Sequence, residues 1–212
     1  MPFNYLLDSW ISLALLIIII GMSAWALWDD NFKDKHVLVP YDMLIYKEYW
    51  RLITSGFVHG NYLHLLFNCV TFFFFAFMLE HWLGHVKFAI LYFSGLLISN
   101  LIVTLIYRND SGYSGTLGAS GAISALLLSA AICNPYLKFG LPIVSDIWPV
   151  LQIPGYIVGF VYIIYSLVSA FRKTDLPINH LAHLIGALTG LGLTFVLKPN
   201  VLQVLEKYMA TL

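Results

Sequence analysis

Leu117-Gly-Ala-Ser120-Gly-Ala-Ile-Ser-Ala-Leu-Leu-Leu-Ser-Ala-Ala-Ile-Cys133 decides the reading of this chain. It is a run of small and apolar residues, with one hydroxyl set between Gly118 and Gly121 near its start. Small residues let membrane helices pack closely, which gives the Gly-Ala-Ser-Gly tetrad a purely structural reading. A serine flanked by glycines at the mouth of such a run also suits a nucleophile. The tetrad alone does not decide between these readings; its surroundings do.

The composition places the run in a membrane. Of 212 residues, 60% are hydrophobic and only 10% are charged, against roughly 25% charged in an ordinary soluble domain. Net charge is zero, and no basic run suggests a nucleic-acid partner. Cys69 and Cys133 both lie in apolar runs without metal-ligand spacing and read as buried free thiols.

A spanning helix needs about 20 mostly apolar residues. Around the 117–133 run the pattern gives five further spans: 10–28, 62–79, 88–107, 148–171 and 179–197. The first is read as a retained helix rather than a signal peptide, because no Lys or Arg precedes Lys33. Asp29–Thr54 alternates aromatic and charged residues and reads as a long interfacial first loop. The expected architecture is all-α: a polytopic six-helix bundle forming a single domain over residues 1–212.

In such a bundle the second, fourth and sixth spans cross in the same direction, so their first turns open toward one face. The second begins with His59, His64 and Asn68, the fourth with Ser120, and the sixth with His180 and His183. Ionisable side chains at that depth are expensive and usually face a bundle interior or a water-filled cavity. Three clusters at matching depth imply one polar pocket open to one side.

A serine hydroxyl needs a base within hydrogen-bond reach, and His183 on a neighbouring span can supply it. No Asp or Glu lies within the fourth or sixth span to orient that imidazole, so a Ser–His dyad is expected rather than a triad. His64 and Asn68, four residues apart on one helix face, and the Ser120 N–H are candidate oxyanion donors. This chemistry needs no metal or other cofactor. Gly186-x-x-x-Gly190 allows the sixth span to approach another backbone closely, as a dyad shared with the fourth requires. The four histidines suggest a metalloprotease as a rival, but no His-Glu-x-x-His occurs. A transporter would show repeated broken helices, and none is evident.

Taken in order, these residues resemble the rhomboid family of intramembrane serine proteases. The resemblance runs through Trp50-Arg51, His59, His64-x-x-x-Asn68, Glu80, Gly118-x-Ser120-Gly121 and Ala182-His183-x-x-Gly186-x-x-x-Gly190. It implies that Ser120 attacks a peptide bond in or near a transmembrane segment of a membrane-anchored protein. It also implies that His183 is general base and then general acid, and that Trp50, Arg51, His59 and Glu80 are structural. The sequence departs from many active relatives at Ser124, where they carry an aromatic against the catalytic histidine. Tyr156 and Tyr162 are the candidates to supply one from another helix, and His180 reads as a loop-edge residue. The family topology places the N-terminus in the cytoplasm, and the compact form fits a bacterial inner membrane. On that topology Lys and Arg are more numerous on the outer side, against the positive-inside tendency. A catalytically inactive relative that binds client helices is the other class of function considered.

Overall fold

The computed structural model describes residues 8–139, 153–170 and 179–210. Its helices in order are α1 (Trp10–Trp28), α2 (Asp30–His36), α3 (Pro40–Tyr46), α4 (Arg51–Thr54), α5 (Tyr62–Leu83) and α6 (His85–Tyr107). They continue with α7 (Ser120–Cys133), α8 (Gly155–Ala170), α9 (His180–Leu197) and α10 (Val201–Met209). A two-residue antiparallel pair joins β1 (Lys138–Phe139) to β2 (Ile153–Pro154). Among the described residues four helices (α1, α5, α6 and α9) are long and apolar enough to cross a membrane, and α7 and α8 are shorter apolar helices.

α7 is the centre. Nearly every residue from Gly121 to Cys133 is buried, and α5, α6, α8 and α9 pack around it. Its Ala, Ser and Gly side chains permit this by letting neighbouring backbones come close. A Cβ on Gly95 of α6 would lie 2.6 Å from the Ala125 Cβ, so α6 needs a glycine there. Gly186 and Gly190 of α9 lie directly on the backbones of Gly121 and Ala125. Polar pairing inside this contact is complete: Ser129 Oγ donates to Gly190 O at 3.2 Å, and Thr194 Oγ1 lies 2.7 Å from both Ser129 Oγ and Gly190 O.

The first span starts at an unusual cap. The hydroxyl of Ser9, the N-cap residue, donates to Phe77 O on α5 (2.9 Å), so it does not cap its own helix. Glu80 of α5 does so instead, accepting from Ile11 N at 3.0 Å and Ser12 N at 2.6 Å. A carboxylate at a helix N-terminus satisfies orphan donors and meets the positive end of the dipole. His85 Nδ1 lies 2.6 Å from the same carboxylate, which is itself buried. This is why α5 continues to Leu83, past the boundary at Leu79 that the polar pair Glu80-His81 suggests. Gly84, with φ +79°, then ends it.

Asp29–Thr54 is not the long loop expected from sequence. It folds into α2, α3 and α4, followed by a 3-10 turn at Ser55–Phe57. Asp29 caps α2 through Asn31 N, and Pro40 opens α3, so local capping chemistry breaks the segment into short helices. Arg51 ties them together: Nε donates to Glu48 Oε2 (2.7 Å), and an Nη donates to Asp34 O (2.5 Å) and Val37 O (2.7 Å) at the end of α2. Orphan carbonyls at a helix C-terminus are natural acceptors for arginine. Trp50 beside it is about half exposed.

Other boundaries shift for local reasons. α6 begins at His85 rather than residue 88, directly after Gly84. α7 begins at Ser120 rather than 117, because Gly118 holds φ +108°, outside helical space. The start of the fifth expected span (148–152) and its last residue, 171, lie outside the described residues, as do Arg172 and Lys173. Cys133 is buried as expected, but Cys69 is only partly so.

Candidate active site

Ser120 occupies the first position of α7. The helix's first internal hydrogen bond runs from Ile123 N to Ala119 O, so the Ser120 N–H precedes the helical ladder. Such N-terminal amides are poised to bind negative charge.

The approach to Ser120 is set by the loop before it and by two histidines. The His64 ring lies over Gly118: a Cβ there would come within 2.8 Å of Cε1 and 2.9 Å of Nε2. Only glycine satisfies both that contact and the positive φ. His64 is placed by the α5 cap, where Asn61 Oδ1 accepts from His64 N at 2.8 Å. The His59 ring packs edge-on against His64, with centroids 4.9 Å apart.

His59 is fully buried. Its Nε2 faces the Ala119 N–H at 3.4 Å and its Nδ1 faces Ser23 Oγ at 2.8 Å. An amide N–H can only donate, so Nε2 is the acceptor and the proton sits on Nδ1. Ser23 Oγ then accepts from Nδ1 and donates to Phe57 O at 3.0 Å. Burial, with the His64 ring beside it, pushes the His59 imidazole down to about 3 despite an opposing hydrogen bond with Asn68. Neutral His59 is what this network requires. Ser23 was missed from sequence, although a hydroxyl in the middle of an apolar span is the kind of signal that flags a buried polar contact.

Gly118 N donates to Ser55 O at 2.8 Å, and Leu38 and Thr116 exchange backbone hydrogen bonds of 3.0 and 2.9 Å. The loop leading to Ser120 is thereby stitched to the segment after α1. Asn100 of α6 secures the same segment through Leu52 O (2.8 Å) and Ser55 Oγ (3.1 Å).

His183 sits in the first turn of α9. Asn179 caps that turn through Ala182 N (3.0 Å) and donates to Tyr113 OH (2.8 Å). Tyr113 stacks on Tyr107 at 4.2 Å, and burial, with Tyr107 beside it, pushes its phenol above the ordinary value. A Cβ on Gly121 would lie 3.6 Å from Ala182 O, so the residue after Ser120 touches the residue before His183. His180 lies 5.9 Å from His183, ring to ring, and is buried against Tyr165 rather than at a loop edge.

The aromatic beside His183 comes from α8. The Tyr162 ring is stacked on the His183 ring at 6.4 Å with an interplanar angle of 23°. Its hydroxyl is 2.5 Å from Ser124 Oγ, which donates to Ser120 O at 2.6 Å. Tyr156 instead packs against Tyr208.

Asn68 Nδ2 donates to His64 O at 2.8 Å. Glu80 stands apart from this group. It is 16 positions beyond His64 on one helix, about 24 Å at 1.5 Å per residue. Among the described residues no three His, Cys, Asp or Glu side chains are close enough together to hold a metal ion.

Fold and site together define an integral membrane protein with polar side chains gathered around the N-terminus of a buried central helix. The Rhomboid domain model matches residues 46–200, and the chain belongs to the rhomboid family. "Putative rhomboid protease YdcA" of Bacillus subtilis is 39% identical over 79 residues, covering 37% of this chain and 38% of that protein. "Presenilin-associated rhomboid-like protein A, mitochondrial" of Danio rerio is 33% identical over 146 residues, 66% of this chain and 35% of that protein. "Inactive RHOMBOID-like protein 8" of Arabidopsis thaliana is 30% identical over 84 residues, 40% of this chain and 24% of that protein. The chain thus spans 24–38% of the length of these three relatives.

Proposed function

We propose that this protein is an intramembrane serine endopeptidase acting on transmembrane segments of membrane-protein substrates, with Ser120 as nucleophile and His183 as base. The observation that carries the reading is the contact of Gly186 and Gly190 with the backbones of Gly121 and Ala125. It brings the first turns of α7 and α9 together, as a base and nucleophile on separate helices must be brought together.

Ser120 Oγ attacks the scissile carbonyl carbon while His183 takes its proton. The resulting oxyanion accepts hydrogen bonds from His64, Asn68 and the Ser120 N–H. Collapse expels the amine, which leaves with the proton held by His183. Water then enters, gives a proton to His183 and attacks the acyl carbonyl, and as the acyl–oxygen bond breaks His183 returns that proton to Ser120 Oγ. Each oxyanion donor is worth about 10²–10³ in rate.

The bundle crosses the membrane six times, with α7 and α8 as the shorter crossings and the α2–α4 segment at the interface. The 14 residues of α7 are about 21 Å long, against about 30 Å of hydrocarbon. This difference sets Ser120 below the surface, where a substrate helix must unwind to expose a carbonyl. A bacterial plasma membrane is the host proposed from the compact form of the chain, with one relative from Bacillus subtilis beside a mitochondrial one from Danio rerio.

The second reading is a client-binding protein without proteolysis, which the inactive Arabidopsis relative brings to mind. One experiment separates the two. A reporter transmembrane substrate is reconstituted in liposomes with wild type, Ser120→Ala or His183→Ala, each with and without chelator. Cleavage abolished in both variants and indifferent to chelator supports the dyad. Undiminished cleavage by Ser120→Ala sinks it, and substrate binding without cleavage by wild type favours the second reading.

A further inference from the structure

Tyr162 of α8 reaches both the nucleophile's helix and the ring of the base. Resting on the serine–histidine reading above, we propose that Tyr162 is a positioning residue for the His183 imidazole, fastened to the Ser120 carbonyl through the Ser124 hydroxyl.

Proton counting fixes the direction of the chain. Ser120 O can only accept, so the single Ser124 hydrogen is committed to it at 2.6 Å. The 2.5 Å contact between Ser124 Oγ and Tyr162 OH then requires Tyr162 to donate. The phenol is therefore held at its oxygen by α7 while its ring lies against His183 of α9. A ring with its tip fixed cannot swing away, and the imidazole facing it loses freedom to rotate.

The rest of α8 explains why this fastening matters. Its large apolar residues Phe160, Val161, Ile164, Tyr165 and Val168 are exposed on the outer surface of the protein. Gly155, Gly159 and Ser166 are its buried residues, with Gly159 set against Ala131 and Leu128 of α7. Tyr162 and Ile163 are its larger side chains packed against the core. The hydroxyl chain adds a directional tie at the level of the site. The support for the base thus comes from a helix that carries neither nucleophile nor base.

The test is a double-mutant cycle on the intact protein in liposomes, reading kcat and KM for the reporter substrate and the rate of Ser120 labelling by a fluorophosphonate. Tyr162→Phe and Ser124→Ala each remove the same hydrogen bond and are expected to lower kcat and labelling about three- to tenfold, with KM within about twofold. The double variant is expected to be no worse than the poorer single one, because both changes break one link. Tyr162→Ala is expected to lose about 30- to 100-fold, since the ring goes too. Adding Ser124→Tyr to it is expected to restore part of the loss by placing a ring on the facing side of α7. Multiplicative losses in the double variant, or a change confined to KM, would overturn the proposal. So would wild-type rates in Tyr162→Phe. Should Tyr162→Ala fail to fold, the Phe/Ala cycle decides alone. A wild type that is not labelled at Ser120, with Ser120→Ala as control, would bring down the serine reading itself and this inference with it.

Discussion

Replacing Gly186 by alanine tests the contact on which the proposed dyad depends. The new Cβ would stand 2.8 Å from the Gly121 carbonyl carbon and 3.0 Å from its Cα, with the carbonyl oxygen closer still. Those are backbone atoms of a buried helix and cannot turn aside as a side chain would. Ordinary carbon contacts lie near 3.5–4.0 Å, so α7 and α9 must separate by about 1 Å. Overpacking of this kind costs about 1–3 kcal/mol of stability. A displacement of about 1 Å between base and nucleophile lowers the rate about 10²-fold. Gly192 lies on the same helix with nothing within 4 Å of its Cβ position, so Gly192→Ala is the matched control. It is expected to leave cleavage unchanged and to add up to about 1 kcal/mol of helix stability. Reporter cleavage in liposomes and thermal unfolding in detergent read both effects. Equal cleavage by Gly186→Ala and Gly192→Ala would refute the reasoning, because the helices would then not need that close approach.

Three further expectations follow from the geometry. Gly118→Ala forces a side chain into φ +108° and against the His64 ring; cleavage is expected to fall about 10²-fold, as for a lost oxyanion donor, and wild-type cleavage would contradict it. Glu80→Gln replaces a carboxylate that accepts from Ile11 N and Ser12 N. It is expected to cost about 1–3 kcal/mol in thermal unfolding while leaving cleavage at low temperature within a few-fold, since Glu80 is far from Ser120. The neutral His59 network gives a pH signature. Its folded value, about 3, lies below the ordinary 6.5, so the unfolded chain binds the extra proton between those limits. Stability is then complete above about pH 6.5 and declines as pH falls toward 3. His59→Asn is expected to flatten that part of the stability curve, and an unchanged slope would show that His59 does not titrate this way.

Much of the fold was legible because apolar run length and membrane thickness are directly related. α1 spans Trp10–Trp28 as read, and α9 begins within one residue of its expected start. What the sequence hid was tertiary. Glu80 looks like the polar end of a helix, and only the docking of the α1 N-terminus onto its carboxylate shows why α5 continues through it. The Asp29–Thr54 segment lacks any apolar run of spanning length, so its short capped helices resemble loop. At the site, the residue types were readable in order along the chain, and Tyr162 was one of two candidates for the ring beside His183, but the hydrogen-bond partners were not readable. Ser23 is one hydroxyl in an apolar helix until His59 is seen against it. Tyr162 is 38 positions from Ser124, a separation that no local periodicity encodes.

The central claim is that Ser120 is a nucleophile activated by His183. The most direct measurement is mass-spectrometric mapping of the fluorophosphonate adduct on the membrane-reconstituted protein. The account expects a single adduct on Ser120, lost in His183→Ala although that variant stays folded. An adduct on another residue, or undiminished labelling of Ser120 without His183, would contradict it.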